Sequence, residues 1–258
     1  MLKLLTRVRQ LAHLTASSST LPRWTDCEAG TNFDERSASE AGIRRAVFSM
    51  PDRSLSQSLT ARFVIEAPLT LNPTELAGWH ERGVRGVRFL IGGQYKPDFE
   101  TILRYADEIA RFDWHVEFDI LPGDGPLLAG AEWTLMRFPV AICFNRFGCF
   151  DPRRGLRHPD IELLLSLLDT GRVWLKLSDA ATISSQPSPW ADLSPIVHAA
   201  LAIRKDRVVW GSGTDRSANP VHIADALNAL MHWIPDAEER DRVLIANPAR
   251  LYGFETTR

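Results

Sequence analysis

Apolar positions along the chain switch repeatedly between two periods. Short runs rich in Val, Ile, Phe and Trp, each closed by Gly, Pro, Asn or Asp, alternate with longer stretches whose apolar residues recur every three or four positions. The short runs predict strands over Arg45–Met50, Arg62–Ala67, Val84–Ile91, His115–Leu121, Val140–Asn145, Arg172–Ser178 and Arg207–Gly213, with an earlier β-like fragment at Trp24–Gly30. The longer stretches predict helices over Pro73–Arg82, Asp98–Phe112, His158–Thr170, Ser194–Ile203 and His222–Ile234. Strands spaced by roughly 17–35 residues and followed by helices mark βα units and a parallel sheet. Eight such units in this length predict an α/β fold, a (β/α)8 TIM barrel. A doubly wound open sheet is the alternative. No Gly-x-Gly-x-x-Gly follows an early strand, so its dinucleotide-binding version lacks support.

The N-terminus stands outside this rhythm. Lys3, Arg7, Arg9 and Arg23 are accompanied by no acid up to Thr25, and Ser17, Ser18, Ser19 and Thr20 follow one another. Leu2, Leu5, Val8, Leu11 and Leu14 fall at helical spacing. Such a leader reads either as an organelle transit segment or as a solvated helical extension, while Arg7 and Arg9 interrupt the apolar core that a secretory signal needs. Residues 1–23 are therefore set apart as a basic extension, and residues 24–258 are expected to form one barrel domain.

Composition narrows the function classes. The 258 residues are 45% hydrophobic, which supports a sizeable core. Thirty Lys and Arg against 32 Asp and Glu give a formal charge of −2, so no overall basic field draws a nucleic-acid backbone. No apolar run approaches the roughly 18–20 residues of a membrane span. Cys27, Cys143 and Cys149 are too scattered for a disulfide framework or a Cys-x-x-Cys metal knuckle. The expectation is a cytoplasmic protein with reduced thiols, with organelle targeting through residues 1–25 as the alternative, and with oligomerisation left open.

Barrel enzymes carry their chemistry at the C-terminal ends of the strands. In His115-Val-Glu-Phe-Asp119 the period of two puts His115, Glu117 and Asp119 on one face, which is unusual in a buried parallel strand. Directed into the barrel mouth they would form an acid/base relay with carboxyl pKa values raised by burial; otherwise they make structural hydrogen bonds. Arg88 at a strand end suits a carboxylate, whereas Arg85 suits closure of the barrel bottom. Lys176, amid a buried strand, is a desolvated amine for catalysis or the partner of a neighbouring carboxylate. Asp215 lies just beyond Trp210-Gly-Ser-Gly-Thr. His80, His158, His198, His222 and His232 read as structural. No His-x-His, Gly-x-Ser-x-Gly or P-loop is present, so a tightly bound catalytic metal is disfavoured.

Gly83-Val-Arg-Gly-Val-Arg-Phe89, Trp114-His-Val-Glu-Phe118, Trp174-Leu-Lys-Leu-Ser178, Asp206-Arg-Val-Val-Trp-Gly211 and Ala246-Asn-Pro-Ala-Arg-Leu-Tyr-Gly-Phe254 occur in that order. Together they resemble the amidohydrolase-2 branch of the metal-dependent hydrolases, in particular its pyrone-dicarboxylate lactonase, sulfomuconolactone hydrolase and galactarolactone isomerase types. The resemblance covers roughly Ala41 to Phe254 and implies a TIM barrel acting on a lactone or related small carboxylic acid.

The family's functional positions match less well. Its Asp-x-His-x-His corresponds to Asp26-Cys-Glu-Ala-Gly30, with Glu28 and Gly30 in place of the histidines, and the segment from there to Gly42 is shortened. Its Asp-His-x-Gly corresponds to Cys143-Phe-Asn-Arg-Phe-Gly148, which has no His. Its last-strand Asp, a metal ligand or base, falls on Gly213 without a gap and on Asp215 with a two-residue insertion. Arg88 matches a substrate-binding arginine, but two further arginines fall near Gln94 and Thr182, which argues against a dicarboxylate substrate.

The resulting expectation is a divergent hydrolase or lactone isomerase using no cofactor, although the resemblance by itself implies zinc or manganese. Asp215, Glu117, Asp119 and His115 are the candidate catalytic groups, and Arg88, Gln94 and Lys176 the substrate contacts. The partner would be a small carboxylate or lactone, with neither nucleic acid nor membrane. Two alternatives are a non-catalytic barrel serving as a binding or scaffold protein, and a chain whose first βα unit no longer forms.

Overall fold

The computed structural model describes residues 23–30, 32–49, 55–68, 72–92, 98–121, 128, 130–213 and 222–255. Eight strands lie side by side in chain order: β1 Trp24–Asp26, β2 Ile43–Phe48, β3 Thr60–Glu66, β4 Val84–Ile91, β5 His115–Ile120, β6 Ile142–Phe144, β7 Val173–Leu177 and β8 Val208–Trp210. Every adjacent pair is parallel. Beyond β8 the sheet returns to its start: Cys27 N donates to Trp210 O at 2.9 Å and Gly213 N to Glu28 O at 3.1 Å. The result is the nearly closed TIM barrel that the alternating pattern predicts.

Helices Pro73–Glu81, Phe99–Ala110, Pro159–Asp169, Ser194–Arg204 and Ile223–Trp233 form where the amphipathic stretches place them. The first two after β3 start at side-chain caps, with Asn72 accepting from Thr74 N and Asp98 from Glu100 N. Five short helices escape the periodicity: Glu35–Glu40, Glu132–Met136, Ala180–Ile183, Ala237–Asp241 and Asn247–Tyr252. The first begins at Asp34, whose carboxylate accepts from Arg36 N and Ser37 N. It completes the first βα unit, and β1 is paired on both sides. The expectation that this unit fails to form is therefore overturned. The shortened segment still reaches a strand, a capped turn of helix and the return to β2. Between β2 and β3 the described residues contain no helix. The basic extension lies outside the described residues, and among the described residues no helix is long and apolar enough to cross a membrane.

Side chains that point outward from the strands, such as Phe118, Phe144 and Trp210, are buried beneath the helices. Those pointing inward form a separate cluster of Cys27, Val47, Val64, Cys143, Val209 and Tyr252. Tyr252 comes from the C-terminal helix Asn247–Tyr252, which lies under the N-terminal ends of the strands. Gly253, at φ +63°, turns the chain at that helix end, where a side chain would be strained. Its carbonyl accepts from Arg62 Nη2 at 2.9 Å, and Arg45 Nη2 donates to Glu255 O at 2.7 Å. Both guanidinium groups also lie over the Phe254 ring, 5.5 Å away for Arg45 and 5.2 Å for Arg62. Arg85 joins this underside, donating to His80 O at 3.0 Å and Val84 O at 2.7 Å.

The floor of the barrel thus depends on one tyrosine. Tyr252→Ala is expected to lower unfolding stability by about 3–5 kcal/mol through lost burial and a residual cavity. Tyr252→Phe is expected to cost about 1.5–3 kcal/mol through loss of a hydrogen bond to a charged group. Urea titrations of the two variants measure both numbers; a Tyr252→Phe variant as stable as wild type would contradict a role for the hydroxyl.

Candidate active site

Along β5 the alternation holds: His115, Glu117 and Asp119 are all buried and inward-facing. Register does the rest. Arg88 on β4 lies opposite Glu117, and Cys143 on β6 flanks it on the other side. Arg88 donates to Glu117 Oε2 from Nε at 3.1 Å and from Nη2 at 2.9 Å, and Asn145 Nδ2 adds a third contact at 3.0 Å. Glu117 Oε1 accepts from Lys176 Nζ at 2.6 Å and from the Tyr252 hydroxyl at 3.0 Å, with His115 Nε2 at 3.3 Å.

This surrounding reverses the expected titration. Burial by itself would raise the Glu117 carboxyl, but Lys176, Arg88 and His115 hold it well below the ordinary range. The Lys176 ammonium, which burial alone would depress, is raised by Glu117 and Glu28 and stays charged. Of the two roles open to Lys176, the structure shows the carboxylate partner. His115 sits at the start of β5, towards the floor, its ring edge-on to Tyr252 at 5.0 Å. Gln94 and Asp215 lie outside the described residues.

Toward the C-terminal ends of the strands a second set of groups appears. Asp26 Oδ1 accepts from Glu28 N at 3.0 Å and Ser212 N at 2.8 Å, tying the end of β1 to the end of β8. Burial raises the Asp26 carboxyl despite these hydrogen bonds. Glu28 Oε2 accepts from Ser178 Oγ at 2.6 Å, with Arg88 Nη1 3.8 Å from Oε1 and Lys176 Nζ 3.9 Å from Oε2. Here too burial raises the carboxyl, yet Lys176 and Arg88 prevail and leave it below its usual value.

Asp119, near the top of β5, pairs with Arg146, whose Nε lies 2.7 Å from Oδ1. Arg146 also donates to Ile120 O, and its own N–H is bonded to Ser178 Oγ at 3.3 Å. It is delivered by a left-handed run after β6: Arg146 (φ 49°), Phe147 (φ 55°), Gly148 (φ 63°) and Cys149 (φ 60°). Left-handed non-glycine residues cost of order 1–3 kcal/mol each, and they persist where surrounding structure fixes them, as it does here around a buried guanidinium. Beside this run, above the ends of β5 to β7, opens a cavity of about 370 Å³ bordered by Ile120, Leu128, Cys149, Arg154, His158 and Ser184. Its size suits a small organic molecule.

Of the residues singled out from the sequence, Arg88, Glu117, His115 and Lys176 meet in one charged core, while Asp119 pairs with Arg146 nearer the strand ends. The sequence assigned no role to Asp26, Asn145, Arg146, Ser178 or Tyr252, and offered Glu28 as a replaced histidine or a metal donor. The available signals were the Ser that closes Lys-Leu-Ser and the Asn-Arg pair that closes β6.

A family model for amidohydrolases matches residues 36–254. The chain belongs to the amidohydrolase family. It is 33% identical over 202 residues to the 4-sulfomuconolactone hydrolase of Rhizobium radiobacter, a match covering 74% of this chain and 65% of that relative. To the 2-pyrone-4,6-dicarboxylate hydrolase of Comamonas testosteroni it is 26% identical over 223 residues, covering 80% of this chain and 72% of the relative. The chain therefore spans slightly less than two thirds of the first of these proteins. An apo crystal structure of an Agrobacterium tumefaciens protein has the same fold, with a TM-score of 0.75, 19% identity and coverage of 92% of this chain and 97% of that one.

Removing one member of a buried ion pair strands the others. Glu117→Ala is expected to cost about 3–5 kcal/mol at neutral pH, read from urea midpoints. Because the Glu117 carboxyl is depressed in the folded chain, its stabilisation is complete above the ordinary carboxylate range and lost as pH falls toward the folded value. The stability gap between wild type and Glu117→Gln should accordingly narrow as the solution is acidified below the usual Glu pKa; a gap that widens would reject the ionised assignment.

Proposed function

We propose that this chain is a hydrolase or isomerase of small lactones or related cyclic carboxylic acids, working by general acid/base chemistry without a tightly bound metal. The observation that carries the reading is the charged core at the C-terminal ends of the strands. There Glu28 and Glu117 converge on Arg88 and Lys176. Burying ions costs several kcal/mol each before pairing, by order of magnitude. The arrangement steadies the barrel and also holds charge in a fixed place, which is what an enzyme of this kind needs. The relatives named as lactone and pyrone hydrolases support the substrate class.

Arg88 and Lys176 supply a positive field beneath the site, where a lactone carbonyl oxygen becomes an oxyanion. Arg88 gives Nε and Nη2 to Glu117 and Nη1 to Ser49 Oγ at 3.3 Å, with Nη1 also 3.8 Å from Glu28 Oε1. Asp215 and a carboxylate of the barrel form the acid/base pair in this reading, with Gln94 near the substrate. Asp119 pairs with Arg146 at the start of the turn whose later residues, Gly148 and Cys149, line the cavity, and His115 lies behind Glu117 as support.

The described residues do not fit a divalent cation. Among the described residues no three His, Cys, Asp or Glu side chains converge to hold one. Asp26 Oδ1 is taken by two backbone N–H groups, and Glu28 faces two side-chain cations that would repel a third. Burial pushes the Cys27 and Cys143 thiols up, away from the thiolate a metal requires.

Metal analysis of the purified chain before and after incubation with zinc or manganese tests this, alongside turnover of 4-sulfomuconolactone, 2-pyrone-4,6-dicarboxylate and simple five- and six-membered lactones. The expected outcome is chelator-resistant turnover, with Asp215→Ala lowering kcat by about 10²–10⁴-fold. One equivalent of metal whose removal abolishes activity would sink the metal-free reading, and an unchanged kcat would sink the role of Asp215.

A further inference from the structure

Two glutamates share the charged core in very different states of engagement. Both Glu117 oxygens are occupied by donors from Arg88, Asn145, Lys176 and Tyr252, and the residue is 0% exposed. A carboxylate so saturated cannot accept a proton without losing an ion pair. Among the described residues Glu28 has a single close side-chain donor, Ser178 Oγ on Oε2. Near its Oε1 the described residues place only Arg88 Nη1, at 3.8 Å, a separation too long for a hydrogen bond, and the residue keeps 6% exposure.

From this contrast we infer that Glu28 is the general base of the site, accepting a proton at Oε1 from a water molecule. The inference rests on the lactone-cleaving reading above and names the barrel carboxylate that performs it. Glu28 is held from its own strand, from the end of β8 and from the end of β7. Its N–H donates to Asp26 Oδ1 at 3.0 Å, its carbonyl accepts from Gly213 N at 3.1 Å, and Ser178 on β7's end fixes one carboxylate oxygen. At Gly211 a Cβ would lie 2.7 Å from both the N and the Cβ of Glu28, so only glycine allows β8 to approach this closely.

The charges facing Glu28 are Lys176 from β7, Arg88 from β4, Glu117 from β5 and Asp26 on its own strand. Burial and Glu117 oppose its ionisation, while Lys176, Arg88 and the Ser178 hydroxyl favour it and win. The base is thus a carboxylate at neutral pH. In the step, a water proton passes to Oε1 as the water oxygen bonds to the lactone carbonyl carbon, and the carbonyl π pair moves to oxygen. That pair then reforms the C=O bond, the bond to the ring oxygen breaks, and the ring oxygen takes the proton back from Glu28. The product is the ring-opened hydroxy acid, and Glu28 is restored.

The test compares the full chain with its Glu28→Gln and Ser178→Ala variants on the same lactones. Glu28→Gln should lower kcat by about 10²–10⁴-fold with KM within a few-fold, while its circular dichroism matches wild type. Ser178→Ala should move the acid limb of the kcat/KM profile to higher pH, because the ionised carboxylate loses a donor; a purely structural serine would leave the limb in place. Wild-type kcat in Glu28→Gln, or an unmoved limb in Ser178→Ala, overturns the base alone. If the glutamine variant does not fold, the Ser178→Ala limb decides. No wild-type turnover on any lactone removes the proposed function and the base with it.

Discussion

The carboxylate of Glu117 holds the interior of this barrel together. It is the shared acceptor for side chains from β4, the end of β6, β7 and the C-terminal helix, and each of those donors is buried with it. Two cations in an apolar interior require a compensating anion, and the interior supplies it on the strand between them. The same arrangement constrains chemistry. Because the anion is saturated, it anchors Arg88 and Lys176 in place, and their remaining positive field is directed at Glu28 and the strand ends. Support and reaction are thereby divided between two residues of the same type. What separates them is the number of donors each carboxylate meets.

The strand ends show a related division. Just beyond β1 and β8 the two chain segments are joined by a carboxylate, Asp26, that gathers backbone donors from Glu28 and Ser212. After β6 the chain leaves extended conformation through four successive left-handed residues, and in doing so turns Arg146 back toward Asp119. The irregular backbone after β6 is where a charged group is aimed. The cavity above β5 to β7 opens next to that irregular turn.

Much of the fold was legible because each element carries its own pattern. The strands from β2 onward and the longer helices were readable from period alone, and helices Glu35–Glu40 and Glu132–Met136 were not, being too short to show one. For the site, alternation placed His115, Glu117 and Asp119 inward correctly. The charge state of Glu117 was misjudged because its partners are remote in sequence: Arg88 is 29 residues away, Lys176 59 and Tyr252 135. Nothing local to His-Val-Glu-Phe-Asp reveals that two cations and a phenol will meet there. Glu28 was similarly opaque, since its partner Ser178 lies 150 residues further on.

Tyr252 follows all eight strands in the chain, yet its hydroxyl reaches the carboxylate at the centre of the charge network. Pairing of the strands alone therefore leaves Glu117 one donor short. The charged core is sealed only when the segment after β8 folds back beneath the strands, which makes docking of that helix the step that couples the barrel's floor to its interior charge.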